Sequence, residues 1–221
     1  MKKIGFLCCI VALTAFQLPQ KKEHILFFGD SITQAGVQPN GYITLFGNML
    51  QQKGLSDQYQ ISGSGIGGNK IYDLYLRMEE DVLAKNPNTV VIWIGVNDVW
   101  HKSSKRTGTD PDKFEKFYHA IIKKLQAAHI KVLLCTPATI GEKTDFSNEQ
   151  DGDLNQYARI IRDIAQKNQC GLIDLRKGFL DYNLKFNTEN KEKGILTTDG
   201  VHLNEKGNQF VADAMMQALI H

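Results

Sequence analysis

Four residues of types that carry acyl-transfer chemistry stand at defined points of this 221-residue chain. Ser31 closes Gly29-Asp30-Ser31, directly after the apolar run Ile25-Leu26-Phe27-Phe28. A serine on a tight turn past a strand would present its hydroxyl at the edge of a sheet. His202 follows Asp199 by three residues near the C-terminus. At that spacing on one turn, the carboxylate can accept a hydrogen bond from Nδ1–H of the imidazole and fix its tautomer, which leaves Nε2 free as a base. Asn97, in Gly95-Val96-Asn97-Asp98, follows a third apolar run and supplies a side-chain amide. Between them lies Ser62-Gly63-Ser64-Gly65-Ile66-Gly67-Gly68-Asn69, whose bare backbone N–H groups suit an anion. Ser31 needs a base, the base needs an orienting carboxylate, and a tetrahedral oxyanion needs converging donors. The glycine turn, the Asn97 amide and the Ser31 N–H can supply three. Asp30 and Asp98 read as turn formers. His24, His101, His119 and His129 lack a carboxylate at such spacing and do not read as catalytic. Trp100 and His101 either touch substrate or pack a loop; the sequence leaves both open.

These residues need a scaffold that gathers positions far apart in the chain. Apolar strand-like runs alternate with helix-like segments. Strands are expected at 25–28, 59–62, 90–94, 131–134 and 172–174, and helices at 42–52, 71–84, 111–125, 154–164 and 204–219, with a weaker helix after the fifth strand. Val90-Val91-Ile92-Trp93-Ile94 is continuously apolar, as in a strand covered on both faces. Such alternation predicts a parallel sheet with helices on both sides, and ligands bind beyond the carboxyl ends of its strands. The segments 99–109, 136–151 and 179–198 are expected as the longest connections.

Composition bounds the rest. Lys and Arg number 26 against 24 Asp and Glu, and the charges are mixed along the chain, so no nucleic-acid partner is expected. Lys2-Lys3, an apolar run from Ile4 to Leu18 and Pro19-Gln20 read as a secretory signal over residues 1–20. That run is too short to span a bilayer, so no stable membrane insertion is expected, and the enzyme would be secreted or periplasmic. A lipid anchor at Cys8 or Cys9 is disfavoured, because Leu7 precedes Cys8 where a small residue belongs and both cysteines lie inside the apolar run. Residues 21–221 then form one domain. Cys135 and Cys170 read as free, mostly buried thiols. No His and Cys spacing suggests a metal site, and no cofactor is expected.

Taken in order, Gly29-Asp30-Ser31, Gly63–Asn69, Gly95–Asp98 and Asp199–His202 resemble the four blocks of the SGNH/GDSL hydrolases, over about residues 24–218. The resemblance implies an α/β three-layer α/β/α sandwich with a five-stranded parallel sheet in flavodoxin-like order 2-1-3-4-5. It implies ester hydrolysis through an acyl-serine, without metal. Ser31, Asp199 and His202 would be the catalytic residues, and Ser31, Gly68 and Asn97 the oxyanion donors. The family's second block usually begins with Asn, where this chain has Gly63. The register set by Ile66 makes Gly68 the match to the family's oxyanion glycine, with Gly65 the alternative. Substrates implied by the resemblance are acetylated sugars, lysophospholipids, short acyl esters and thioesters. The export signal and the polar stretch Lys102–Arg106 favour a carbohydrate O-acetylesterase, with a lysophospholipase or thioesterase as the alternative, so the partner is a small-molecule or glycan ester.

Rival readings fail on particular residues. Gly63-Ser64-Gly65-Ile66-Gly67-Gly68 satisfies the dinucleotide pattern, but it follows the second strand, and the acids about 20 residues on fall inside a helix. A non-catalytic carbohydrate-binding module would leave Ser31, Asp199 and His202 unused. The α/β-hydrolase elbow needs Gly two residues past the serine, where this chain has Thr33.

Overall fold

The computed structural model describes residues 21–220. The leader expected at residues 1–20 lies outside the described residues. Five strands, β1 (Glu23–Gly29), β2 (Tyr59–Gly65), β3 (Thr89–Trp93), β4 (Lys131–Cys135) and β5 (Gly171–Ile173), pair in the order β2-β1-β3-β4-β5. Every pairing is parallel. Parallel neighbours require crossovers, and helices supply them: α1 (Ser31–Gly36), α2 (Tyr42–Gln52), α3 (Ile71–Asp81), α4 (Val96–Ser104), α5 (Pro111–Ala127) and α6 (Asp151–Lys167); α7 (Leu175–Phe186) and α8 (Glu205–Leu219) follow the last strand. The sheet order and the three layers are those the family resemblance implied.

The period-two geometry of a strand divides the core. Ile25, Phe27, Val91, Trp93 and Leu133 face a layer that contains Tyr42, Phe46, Val211 and Met215. Their neighbours Leu26, Phe28, Val90, Ile92 and Leu134 face the opposite layer, with Leu74, Ile121, Ile122 and Ile161. Both faces are covered, which is why the central strands read as unbroken apolar runs. Phe27 meets Tyr42 edge-on at 5.7 Å, and Tyr42 meets Trp93 at 5.5 Å. Each such pair adds about 0.5–1.5 kcal/mol beyond area burial. These contacts fix the β1 and β3 ends from which Ser31 and Asn97 project.

Three local expectations change. The connection expected at 99–109 begins as helix, since α4 runs to Ser104. Its Val96 and Val99 are buried, and that pair lies too close to the preceding apolar strand to stand out as helical periodicity. Asp98 is therefore a first-turn helix residue rather than a turn former; its Oδ1 accepts from the Ile71 N–H at the start of α3. The second strand runs on through Gly63 and Gly65, which pair with Phe27 and Gly29, so the glycine turn proper is only Ile66–Asn69. Among the described residues no helix is long and apolar enough to cross a membrane. Cys135 and Cys170 are free; Cys135 is buried and Cys170 half-buried.

Candidate active site

Because all strands run the same way, the segments after β1, β2 and β3 emerge at one edge of the sheet, and the loop before α8 returns to it. Asp30 caps α1 by accepting from the Ile32 N–H at 2.9 Å, so Ser31 becomes the first helical residue. Its N–H has no acceptor within the helix and is free to serve a ligand. Ser31 Oγ lies 2.9 Å from His202 Nε2 across 171 residues of sequence. His202 Nδ1 lies 2.7 Å from Asp199 Oδ2. The other carboxylate oxygen, Asp199 Oδ1, accepts from the N–H groups of His202 at 2.8 Å and Val201 at 3.0 Å. One side chain thus shapes the turn and orients the ring. Partial burial raises the Asp199 carboxyl, but the His202 ring and these two N–H groups outweigh it and hold the carboxyl below its ordinary value. It stays charged where an imidazole titrates.

Opposite the imidazole, the turn and α4 bring hydrogen-bond donors to the same edge. Gly65 packs where any Cβ would fall 2.1 Å from Gln34 N, so its role is close approach of α1 to β2, and the alternative donor at Gly65 lies inside the sheet edge. In the turn itself, the Gly67 N–H is taken by Gln34 Oε1 at 2.9 Å. A methyl placed on Gly67 would sit 3.9 Å from Ser31 Cβ, so the turn lies beside the serine. Gly68 takes a φ of +77°, which favours glycine. Its carbonyl accepts from Lys70 Nζ, while its N–H enters no hydrogen bond among the described residues. The Asn97 side chain is buried and donates one amide hydrogen to Asn69 O at 3.1 Å, which leaves the second for a ligand. Ser31, Gly68, Asn97, Asp199 and His202 therefore all come to one edge. Asn97→Ala should lower kcat by roughly 10²–10³ with little change in KM, because an oxyanion donor acts mainly in the transition state. Steady-state kinetics decide this, and a change confined to KM would make Asn97 a ground-state binding residue.

Two buried carboxyls flank the site. Burial pushes Asp30 up to about 7, against the pull of the Ile32 N–H and of His202. Burial likewise pushes Asp98 up to about 7, and Asp30 adds to the rise. Trp100 stands edge-on to the His202 ring at 6.4 Å, and His101 lies against the turn, its Cε1 3.7 Å from where a Cβ on Gly68 would be. Both residues border the centre. His24, which bonds Ser62 Oγ, lies in β1 at the far end from Ser31. Among the described residues, no group of three or more His, Cys, Asp or Glu side chains is arranged to hold a metal.

Two supporting residues carry no sequence motif. The Glu142 carboxylate is 1% exposed and accepts from three successive N–H groups: Ile195 at 2.8 Å, Leu196 at 2.7 Å and Thr197 at 3.0 Å. Gly141 N–H bonds Gly200 O, and Glu142 N–H bonds Glu192 O. The loop after β4 thereby clamps the segment that delivers Asp199 and His202. Arg77, stacked 4.5 Å over Phe28, donates to Gly29 O, Ser64 O, Ser64 Oγ and Asn69 Oδ1. It ties the end of β1 to the glycine turn. Periodicity marks neither residue, because a lone Glu in a loop and an Arg on a helix face look like ordinary surface charges.

A parallel α/β sheet with a serine, an imidazole and a carboxylate in hydrogen-bonded sequence at its carboxyl edge has the parts for nucleophilic acyl transfer. The profile of the GDSL-like lipase/acylhydrolase family matches residues 27–210; the chain belongs to that family and is a carboxylic ester hydrolase. The crystal structure of the acetyl xylan esterase AlAXEase is similar at 68% identity with a TM-score of 0.88, over 89% of this chain and all of that one. An acetylxylan esterase of Geobacillus stearothermophilus is 28% identical over 215 residues, covering 89% of this chain and 94% of its own. The isoamyl acetate-hydrolyzing esterase 1 homolog of Rattus norvegicus is 26% identical over 200 residues, covering 85% and 77%.

Proposed function

We propose that this enzyme removes acetyl groups from carbohydrate through an acyl-serine at Ser31. The observation that carries the mechanism is the hydrogen-bonded series Ser31 Oγ, His202 Nε2, His202 Nδ1, Asp199 Oδ2, at 2.9 and 2.7 Å. With Asp199 accepting the hydrogen bond from Nδ1–H, Nε2 accepts the hydroxyl proton as Ser31 attacks the ester carbonyl. The oxyanion forms against the N–H groups of Ser31 and Gly68 and the free Asn97 amide hydrogen. His202 then returns its proton to the leaving alcohol, and the ester C–O bond breaks. A water that gives its proton to Nε2 releases acetate by the same steps in reverse order.

The substrate reading is supported by the acetylxylan esterases among the similar proteins, one of them at 68% identity. The test is ester release from 4-nitrophenyl acyl esters of two to twelve carbons, followed by acetylated xylan. Activity should fall steeply beyond short acyl chains, and acetate should be released from the polymer. A preference for long chains would favour the lysophospholipase or thioesterase alternative. The basic and then apolar opening of the chain supports export to the periplasm or medium; retention of the full-length chain in the cytoplasm on fractionation would count against it.

A further inference from the structure

The geometry points to a carrier subsite in this centre: the cleft beyond Trp100 and Asp199 receives the sugar chain that bears the ester. The inference builds on the acetylesterase reading above and says where the leaving alcohol goes. In the acylation step the ester C–O bond breaks, the acyl group stays on Ser31 Oγ, and the proton on His202 Nε2 passes to the departing oxygen. That oxygen must therefore lie within hydrogen-bond reach of Nε2, and its carrier must extend over His202, away from Gly68 and Asn97.

On that side a cleft of about 560 Å³ opens, bounded by Trp100, Asp199, Val201 and the loop between β4 and α6. Its size falls within the range of roughly 300–1,000 Å³ seen for small-molecule sites. Trp100 already stands against His202, so its ring begins the cleft where the leaving oxygen ends. The far wall is polar: Ser147, Glu149, Gln150 and Glu192 line it, and Gln150 spans to Ser103 on α4. An apolar acyl chain would leave these groups unpaired, whereas a hydroxyl-rich ring would meet donors and acceptors.

In the same loop, directly before the cleft-lining Ser147, Phe146 is 90% exposed and sits at a left-handed φ of 66°. The loop around it is built, not loose. The Asp145 carboxylate accepts from the Ser147 N–H and hydroxyl and from the Asn190 amide. Asn190 Oδ1 in turn accepts from the Thr144 N–H, and Asn148 donates to Lys143 O. An exposed aromatic ring on the loop that lines this polar cleft offers a pyranose a stacking face, with Trp100 offering a second at the inner end.

The test compares two substrates in wild type and Phe146→Ala. The side chain touches solvent, so the variant should fold, and its thermal unfolding verifies that. The ratio of kcat/KM on acetylated xylo-oligosaccharide to kcat/KM on 4-nitrophenyl acetate should fall about tenfold, through KM for the oligosaccharide. Glu149→Ala should move the same ratio in the same direction by about threefold. An unchanged ratio in both variants overturns the subsite. A wild type that cleaves 4-nitrophenyl acetate and releases no acetate from any glycan overturns the substrate reading and the subsite with it. A wild type inactive on both overturns the ester mechanism itself.

Discussion

Ser31→Ala should abolish ester hydrolysis, with kcat down by roughly 10⁴–10⁶-fold, while the protein stays folded. In the proposed mechanism the hydroxyl forms the acyl bond, and it is the group that His202 Nε2 contacts at 2.9 Å. The fold should survive because Asp30, not Ser31, caps α1, and the Asp30 bond to the Ile32 N–H remains. The loss is one hydrogen bond from Oγ to the ring, worth about 1 kcal/mol. The proposed oxyanion donors also survive, since the backbone N–H of residue 31 is unchanged. Turnover of 4-nitrophenyl acetate, a phosphonate label read by mass spectrometry, and thermal unfolding test this together. Wild type should gain one label and the variant none. Retention of more than a few per cent of kcat in a folded variant would remove Ser31 from the mechanism.

Asp199→Asn should cut kcat by roughly 10³–10⁴ and change the pH profile. Asp199 Oδ1 accepts the His202 and Val201 N–H groups, and an amide oxygen can keep both bonds. The Nδ2 group would then face His202 Nδ1 and donate to it. That holds the tautomer with the proton on Nε2, which cannot take the Ser31 proton. In wild type, kcat/KM should rise with pH through one ionisation belonging to the imidazole and then level off, because only the unprotonated ring is a base. The Asp199 carboxyl is held below its ordinary value, so it is already charged across that rise and does not produce it. Asp30 is the competing source, since burial pushes it up to about 7. Asp30→Asn keeps an acceptor for the Ile32 N–H and should leave the rising limb in place. A limb near ~4, in the carboxylate range, and unmoved in Asp199→Asn would assign the base to a carboxylate. A limb lost only in Asp30→Asn would assign it to Asp30.

Signals that act over a few residues were legible. Phe27 and Phe28 alternate between two layers, and Val90 to Trp93 are buried on both faces, so the strands showed as apolar runs. Asp110-Pro111 announced α5, and the spacing of Tyr42 to Gln52 matched α2 residue for residue. The contact of Asp199 with His202 was also readable, because three residues on one turn need no tertiary information. The start of α4 was not readable, because its first buried residues follow directly on the apolar end of β3.

By itself the sequence determined the alternation of strands and helices, the parallel sheet that this alternation requires, and the place of Ser31, the glycine turn and Asn97 just past a strand. Those follow from periodicity and from the right-handed crossover, which are properties of local chain geometry. Tertiary structure alone decided the rest. The approach of Ser31 to His202 depends on α8 packing against the sheet layer that holds Tyr42 and Phe46. The enclosure of Gly65 depends on α1 lying close against β2, while the turn beyond it stays open. Glu142 and Arg77 took their places by facing backbone groups 53 and 48 residues away, and no pattern of neighbours in sequence encodes a partner at that distance. The cleft beside Trp100 and Asp199 exists only where the loop after β4 meets the loop before α8, since a cavity is a property of surfaces brought together and not of either segment alone.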